Sequence, residues 1–133
     1  MAALGRRRER RLRQAELAGG LQRPHDGARD VPDVALLAAP RDPGYWFYFT
    51  GKWYIGGGTS AAAPSWAGFF AQLNQKLGGN GLGLAGLRLY QLCGRSALHD
   101  ITSGSNGLFS AAPGYDEVTG VGTIDAARLF RAY

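Results

Sequence analysis

The sequence is poor in residues on which several common kinds of protein depend. It has one cysteine, Cys93, so no disulfide can form within the chain, and we interpret this residue as a small core side chain. His25 and His99 are the only histidines, and a classical catalytic triad built on either is not favoured. No apolar run is long enough to cross a bilayer, and no apolar core of a signal peptide is present. We therefore expect neither a disulfide-stapled domain nor a membrane protein.

The sequence does have the length and apolar content of one folded domain. It contains 133 residues, of which 45% are hydrophobic, which argues against disorder of the whole chain. Its 21 glycines indicate many turns and loops rather than a plain helical bundle.

The positive charge is confined to the start of the chain. Residues 1–29 contain eight arginines and three acidic residues, whereas residues 30–133 contain seven basic and seven acidic ones. We divide the chain into an arginine-rich head, residues 1–28, and a nearly neutral globular part, residues 29–133. A solvated helix or a disordered tail is the favoured interpretation of the head. Phosphate binding, a mitochondrial presequence and a misread gene start remain alternatives.

Residue patterns predict a strand pair followed by helices. Aromatic runs predict strands over 45–50 and 52–55, with Thr50-Gly51-Lys52 as the turn. Apolar spacing predicts a helix over 60–77, with Pro64 in its first turn and Gly78 at its end. A second helix over 85–92, a loop over 100–122 and a final helix over 126–133, capped by Thr123 or Asp125, complete the predicted order.

Ser60 is the candidate nucleophile. It follows Gly56-Gly57-Gly58-Thr59 and precedes the small residues Ala61-Ala62-Ala63-Pro64. Glycines let the backbone turn sharply and would leave the preceding strand edge open to a peptide. A serine at a helix start lies beside unpaired N–H groups and the positive end of the helix dipole, which suits a reaction that develops an oxyanion. The alternative is a helix-capping serine after a loop.

Asp100 and Asp116 bracket a glycine-rich loop that is a candidate metal site. Calcium prefers six or more oxygen ligands from carboxylates, main-chain carbonyls and water. The spacing is not that of an EF-hand, and the terminal glutamate of that motif is absent. On composition alone, two Asx turns explain the aspartates as well as a metal site does.

The serine segment resembles the nucleophile motif of the sedolisins, the serine-carboxyl peptidases that share the subtilisin fold. Subtilisins have a similar Gly-Thr-Ser helix start, so the resemblance depends on the surrounding segments. Those segments are Arg29-Asp30-Val31-Pro32-Asp33-Val34, Asp42-Pro43-Gly44-Tyr45, Gly51-Lys52-Trp53-Tyr54, Ser65-Trp66-Ala67-Gly68, Asp100-Ile101-Thr102 and Thr119-Gly120-Val121-Gly122. The resemblance covers residues 29–133 and implies an α/β, partial subtilisin-like fold from the C-terminal portion of a longer catalytic domain.

The resemblance implies a serine-type endopeptidase that cleaves peptide or protein substrates through an acyl-enzyme on Ser60. Sedolisins activate the serine with a glutamate backed by an aspartate four residues later, and another aspartate stabilises the oxyanion. Glu9 and Glu16 do not form such a pair, and Asp26 and Asp30 have the spacing but lie where the family places no catalytic group. We therefore expect the isolated chain to be inactive. Asp33 is interpreted as a structural residue.

The resemblance also implies one Ca²⁺ ion and a set of ligands for it. Asp100 and Asp116 would bind through carboxylates, and Ile101, Ala112 and Gly114 through main-chain carbonyls, although the family usually has glycine where Ala112 stands. Neither nucleic acid nor membrane is expected as a partner, and the family is typically secreted or lysosomal. Three alternatives remain: a non-catalytic calcium-binding or interaction module, a nucleic-acid-binding protein that uses the arginine head, and a subtilisin-type fragment.

Overall fold

The computed structural model describes residues 29–78 and 81–133, so the predicted head, residues 1–28, lies outside the described residues. The described part is an α/β structure with two small antiparallel sheets and three helices. In chain order its elements are β1 (Tyr45–Phe49), β2 (Lys52–Gly56), α1 (Thr59–Leu77), α2 (Ala85–Gln91), β3 (Leu98–His99), β4 (Thr123–Ile124) and α3 (Ala126–Ala132). Within these residues, no helix has the length and apolar character needed to span a membrane.

The predicted strand pair is confirmed as a β-hairpin. Strands β1 and β2 pair in a register that runs from Tyr45 opposite Gly56 to Phe49 opposite Lys52. The two connecting residues, Thr50 and Gly51, have φ angles of 47° and 79°. Positive φ at both central residues is the geometry of a type I′ turn, which matches the twist of the strands. The turn therefore fixes the register.

Helix α1 is confirmed and begins one residue before its predicted start. Gly58 caps it without a side-chain hydrogen bond, and Trp66 and Leu73 are its buried residues. Pro64 is the sixth residue of the helix, so the prediction that it lies in the first turn is wrong. A proline there has no N–H to donate to the carbonyl of Ser60 four residues earlier. The carbonyl of Ser60 therefore lacks the helical hydrogen bond that an N–H at position 64 would give it.

The helices and the second sheet enclose one apolar core. Its members are Trp66, Leu89, Tyr90, Leu92, Ala97, Leu98, Tyr115, Val121 and Leu129. Cys93 packs against this core without being fully buried, and burial raises the pKa of its thiol. The predicted cap of the last helix is confirmed at Asp125, whose carboxylate accepts from the N–H of Arg128 at 2.9 Å. Thr123 lies instead in β4, a two-residue strand that has too little sequence to show a period.

A bracing segment, residues 30–39, joins α1 to the long loop before β4. The N–H of Val121 donates to the carbonyl of Asp33 at 2.9 Å, and the N–H of Ala35 donates to the carbonyl of Gly122 at 3.0 Å. The indole N–H of Trp66 donates to the carbonyl of Ala35 at 3.3 Å. These three bonds connect the serine helix, the bracing segment and the loop that carries Asp116.

The carboxylate of Asp33 holds the start of the bracing segment. It accepts a hydrogen bond from Arg29 at 2.6 Å and another from the hydroxyl of Tyr90, whose side chain belongs to α2. The interpretation of Asp33 as a structural residue agrees with these contacts.

Gly120→Ala is expected to destabilise the fold far more than Gly51→Ala. Both glycines have a positive φ, 64° and 79°, so both substitutions incur the left-handed penalty of about 1–2 kcal/mol. A Cβ at position 120 would also lie 2.2 Å from the carbonyl oxygen of Asp33, whereas a Cβ at position 51 meets nothing within 4 Å. Overpacking of this kind costs about 1–3 kcal/mol more. Urea unfolding of both variants measures the difference, and equal losses would show that the bracing contact is not made.

Candidate functional site

Ser60 is exposed at the second position of α1. The first hydrogen bond of the helix runs from the N–H of Ala61 to the carbonyl of Gly58 at 2.9 Å. The N–H groups of Thr59 and Ser60 precede that bond and have no acceptor within the described residues. The serine hydroxyl therefore lies next to free N–H donors and the positive end of a 19-residue helix. Such donors can stabilise an oxyanion that forms on an acyl carbon attacked by this serine.

The glycines before Ser60 have a different structural role from the one predicted. A Cβ on Gly57 would lie 2.0 Å from the carbonyl oxygen of Ala39, so the backbone that approaches Gly57 belongs to the bracing segment. The N–H of Gly58 donates to the carbonyl of Ala38 at 2.7 Å, and Gly58 has a φ of 124° that favours glycine. At Gly57, the strand edge is thus occupied by the chain itself, not left open for a substrate.

The Ser60 hydroxyl makes no hydrogen bond with any group of residues 29–78 and 81–133. His99 lies on β3 with its Nε2 3.9 Å from a carboxylate oxygen of Asp125. His25 and Asp26 lie outside the described residues, as do Glu9 and Glu16. Among the described residues, therefore, no group is in place to accept a proton from the Ser60 hydroxyl, which a serine nucleophile requires.

The buried carboxylate of Asp116 organises the long loop. Its oxygens accept from the N–H groups of Ala112 at 3.1 Å, Val118 at 2.9 Å and Thr119 at 2.7 Å, and from the Thr119 hydroxyl at 3.1 Å. Burial by itself raises the pKa of this carboxyl, but hydrogen bonds from the main chain of Ala112, Thr119 and Val118 outweigh it and lower the pKa. The hydrogen bond from the N–H of Val118 to Asp116 closes an Asx turn. An Asx turn was one of the two interpretations of this aspartate that the sequence left open, the other being a metal site.

Asp100 approaches the same loop from the other side. One of its carboxylate oxygens accepts from the N–H of Gly114 at 2.8 Å, across 14 residues of sequence, so this contact is not an Asx turn. Residues 112–114 are therefore held by both carboxylates. Of the five predicted calcium ligands, the structure brings together Asp100, Ala112, Gly114 and Asp116, and Ile101 is the chain neighbour of Asp100.

The chemistry of this donor set fits a hard cation. Within the described residues, no group of three or more His, Cys, Asp or Glu side chains is placed to hold a metal. The predicted set contains only two carboxylates, so its other ligands have to be main-chain carbonyls, which calcium accepts and softer metals do not favour.

Asp116→Asn is expected to lower the free energy of unfolding by about 2–3 kcal/mol in the presence of EDTA. An amide keeps only one of the two acceptor oxygens and turns an NH₂ group toward main-chain donors, and hydrogen bonds to charged groups contribute about 1.5–3 kcal/mol each. Urea unfolding gives the value, and Asp42→Asn, which changes an exposed carboxylate in the loop before β1, is the matched control. Equal stability of the two variants would contradict the organising role of Asp116.

An exposed serine in the first turn of a helix that follows a glycine run is an arrangement found at the nucleophile of serine hydrolases. Here an acidic loop is joined to that helix through the bracing segment. A comparison with protein-family models gave no match for this chain.

Individual proteins of known function match about three quarters of the chain. The chain is 42% identical over 110 residues to kumamolisin of Bacillus sp. (strain MN-32), a match that covers 78% of this chain and 19% of that protein. It is 38% identical over 104 residues to xanthomonalisin of Xanthomonas sp. (strain T-22), covering 74% of this chain and 12% of that protein. It is 36% identical over 109 residues to sedolisin of Pseudomonas sp. (strain 101), a match that covers 77% of this chain and 18% of that protein.

The chain belongs to the sedolisin family, the serine-carboxyl peptidases. The resemblance inferred from the residues is thereby confirmed. The chain spans less than a fifth of the length of these relatives.

Proposed function

We propose that the chain is the serine-bearing part of a sedolisin-type endopeptidase with a subtilisin-like fold, acting on peptide or protein substrates. The single observation that supports this most strongly is the position of Ser60. It is exposed at the second residue of α1, beside N–H groups without an acceptor in the described residues, in a segment that matches peptidases at 36–42% identity.

The chemistry proposed for Ser60 is acyl transfer. Its Oγ forms a bond to the carbonyl carbon of the substrate while its proton passes to a base, and the N–H of Ser60 donates to the oxygen that becomes negative. The C–N bond then breaks, the amine leaves with a proton, and water hydrolyses the ester to free the serine. The base is not found among the described residues, so in this proposal carboxyl groups from the rest of a sedolisin-type domain supply it. Carboxyl groups exchange protons near their own pKa values, which favours acid pH.

We further propose that one Ca²⁺ ion binds at the loop between β3 and β4. The carboxylates of Asp100 and Asp116 and the main-chain carbonyls of Ile101, Ala112 and Gly114 would hold it. The support is the approach of both carboxylates to residues 112–114 and the all-oxygen donor set. When bound, the ion would neutralise the charges of the two carboxylates and stabilise the native loop. A secreted or lysosomal location is part of the same proposal, because the family resemblance implies it.

A chimeric enzyme tests whether Ser60 is a nucleophile. Residues 29–133 of this chain replace the matching segment of kumamolisin, and hydrolysis of a denatured protein is measured at about pH 3–5, where carboxyl catalysis operates. The chimera is expected to be active and Ser60→Ala to reduce kcat by about 10⁴-fold or more, because the covalent step is lost. Ser65→Ala, which alters another exposed hydroxyl of α1, is the matched control.

Two results would contradict the proposed function. A folded chimera without Ser60-dependent hydrolysis would favour the non-catalytic calcium-binding module. Turnover by the isolated 133-residue chain that Ser60→Ala abolishes would show that the chain already contains its own base.

Calcium is expected to raise the melting temperature of the chain by several degrees. A ligand that binds only the native state contributes about 2.7 kcal/mol at a hundredfold excess over its Kd. Asp100→Asn and Asp116→Asn are each expected to remove the shift, while Asp42→Asn keeps it. Differential scanning calorimetry with EDTA, Ca²⁺ or Mg²⁺ makes the comparison. An equal shift in Asp100→Asn, Asp116→Asn and the unmodified chain would place the ion elsewhere.

A further inference from the structure

An open cavity lies between α3 and the turn that joins α2 to β3. Its volume is about 360 Å³, at the lower end of the range of about 300–1,000 Å³ that small-molecule sites occupy. Three of its seven lining residues are arginines, namely Arg95 on the turn and Arg128 and Arg131 on α3. None of the seven belongs to α1 or to the loop that carries Asp116, so neither the proposed peptidase chemistry nor the proposed calcium site accounts for this cavity.

The charges of these arginines are only partly balanced within the described part of the chain. Arg128 has its Nε 3.5 Å from a carboxylate oxygen of Asp125. The side chains of Arg95 and Arg131 form no hydrogen bond or ion pair with any group of residues 29–78 and 81–133. Three guanidinium groups and one carboxylate leave an excess of two positive charges at one concave surface. Charge of one sign in a cleft raises the local concentration of counter-ions, so the cavity attracts anions.

The turn adds neutral hydrogen-bond donors beside the guanidinium groups. The hydroxyl of Ser96 is exposed and forms no hydrogen bond with the described residues. The main-chain N–H groups of Ser96 and Ala97 also have no acceptor among them. Phosphate oxygens accept from hydroxyl and main-chain N–H groups as well as from arginine. The donors that line the cavity are therefore of the kinds that hold a phosphate group.

The rest of the lining is apolar. It consists of Leu92, Ala97 and Ala132, of which Leu92 and Ala97 are buried. Small-molecule sites commonly combine apolar walls with a few polar groups that fix the orientation of the ligand. Arginines beside apolar walls thus fit an anionic group attached to an apolar body.

We propose that this cavity, called here the arginine cavity (residues 92, 95–97, 128, 131 and 132), binds a small organic phosphate monoester. Such a group carries a charge of about −1.5 to −2 at pH 7 and has three acceptor oxygens, and the arginine fork matches it with paired hydrogen bonds. Its charge equals the excess of the cavity. A carboxylate offers one charge and two oxygens, so it satisfies the same arginines less completely.

The alternative is that the arginines are solvated side chains that serve only the helix. Arg131 lies in the last turn of α3, where a cation offsets the negative end of the helix dipole. That explanation accounts for Arg131, but it gives no role to Arg95, which lies on the turn across the cavity. It also predicts no ligand, so binding experiments separate the two interpretations.

NMR spectroscopy and calorimetry of the full 133-residue chain provide the test. The probe is phenyl phosphate, compared with inorganic phosphate and benzoate. The solution is at about pH 7.5 and about 0.15 M salt, where the monoester is close to doubly charged and exposed charges beyond about 8 Å are screened. Phenyl phosphate is expected to shift the amide resonances of Ser96, Ala97 and Arg131. It is expected to bind about tenfold more tightly than either comparison, because each lacks the phenyl group or the phosphate.

Substitutions of single arginines test the cavity directly. Arg95→Gln and Arg131→Gln each remove one charge while keeping a long polar side chain, and each is expected to weaken the binding of phenyl phosphate about tenfold. Arg41→Gln, which removes the same charge from an exposed position in the loop before β1, is the matched control and is expected to change binding less than about twofold. Thermal unfolding shows whether each variant is folded, and the amide shifts of the unmodified chain decide the matter if one is not.

The location of the amide shifts separates the cavity from the arginine-rich head. Residues 1–28 contain further arginines, which attract phosphate wherever they lie. Shifts confined to residues 1–28, or equal weakening by Arg41→Gln and Arg95→Gln, would overturn the proposal. Equal affinity for inorganic phosphate would overturn the role of the apolar walls and assign the cavity to the free ion. Equal affinity for benzoate would overturn the preference for phosphate.

Discussion

The structure depends on the main-chain pairing between the bracing segment and the loop that precedes β4. Two hydrogen bonds, from Val121 to Asp33 and from Ala35 to Gly122, join parts of the chain that are more than 80 residues apart. Such distant contacts impose a large loss of chain entropy, so they persist only where the backbones approach closely. Glycine at position 120 permits this approach, because any Cβ there would clash with Asp33. The same segment contacts Trp66, so the serine helix and the acidic loop share one support.

The candidate site places an exposed serine in the first turn of a long helix. Within the described residues the N–H groups of Thr59 and Ser60 have no acceptor, Pro64 has no N–H for the carbonyl of Ser60, and no group hydrogen-bonds to the Ser60 hydroxyl. Activation of a serine requires a base within hydrogen-bonding distance, so position alone does not make this residue reactive. The long loop between β3 and β4 is held by hydrogen bonds of its own. The carboxylate of Asp116 accepts from the main chain of Ala112, Val118 and Thr119.

The hairpin of β1 and β2 lies directly before the helix that carries Ser60, and its aromatic side chains are exposed.

Local patterns in the sequence determined the hairpin, the place of its turn, the three helices and the candidate nucleophile. Each of these depends on neighbouring residues: positive φ at Thr50 and Gly51, apolar spacing in α1, and the aspartate cap of α3. The motifs around Ser60 and Asp100 also identified the family. Only the tertiary structure decided that Gly57 accommodates Ala39, that Asp100 reaches Gly114 and that β3 pairs with β4. These contacts join residues far apart in the chain, and their geometry follows from packing that no local period encodes. The sequence therefore placed the serine, and the tertiary structure showed what surrounds it.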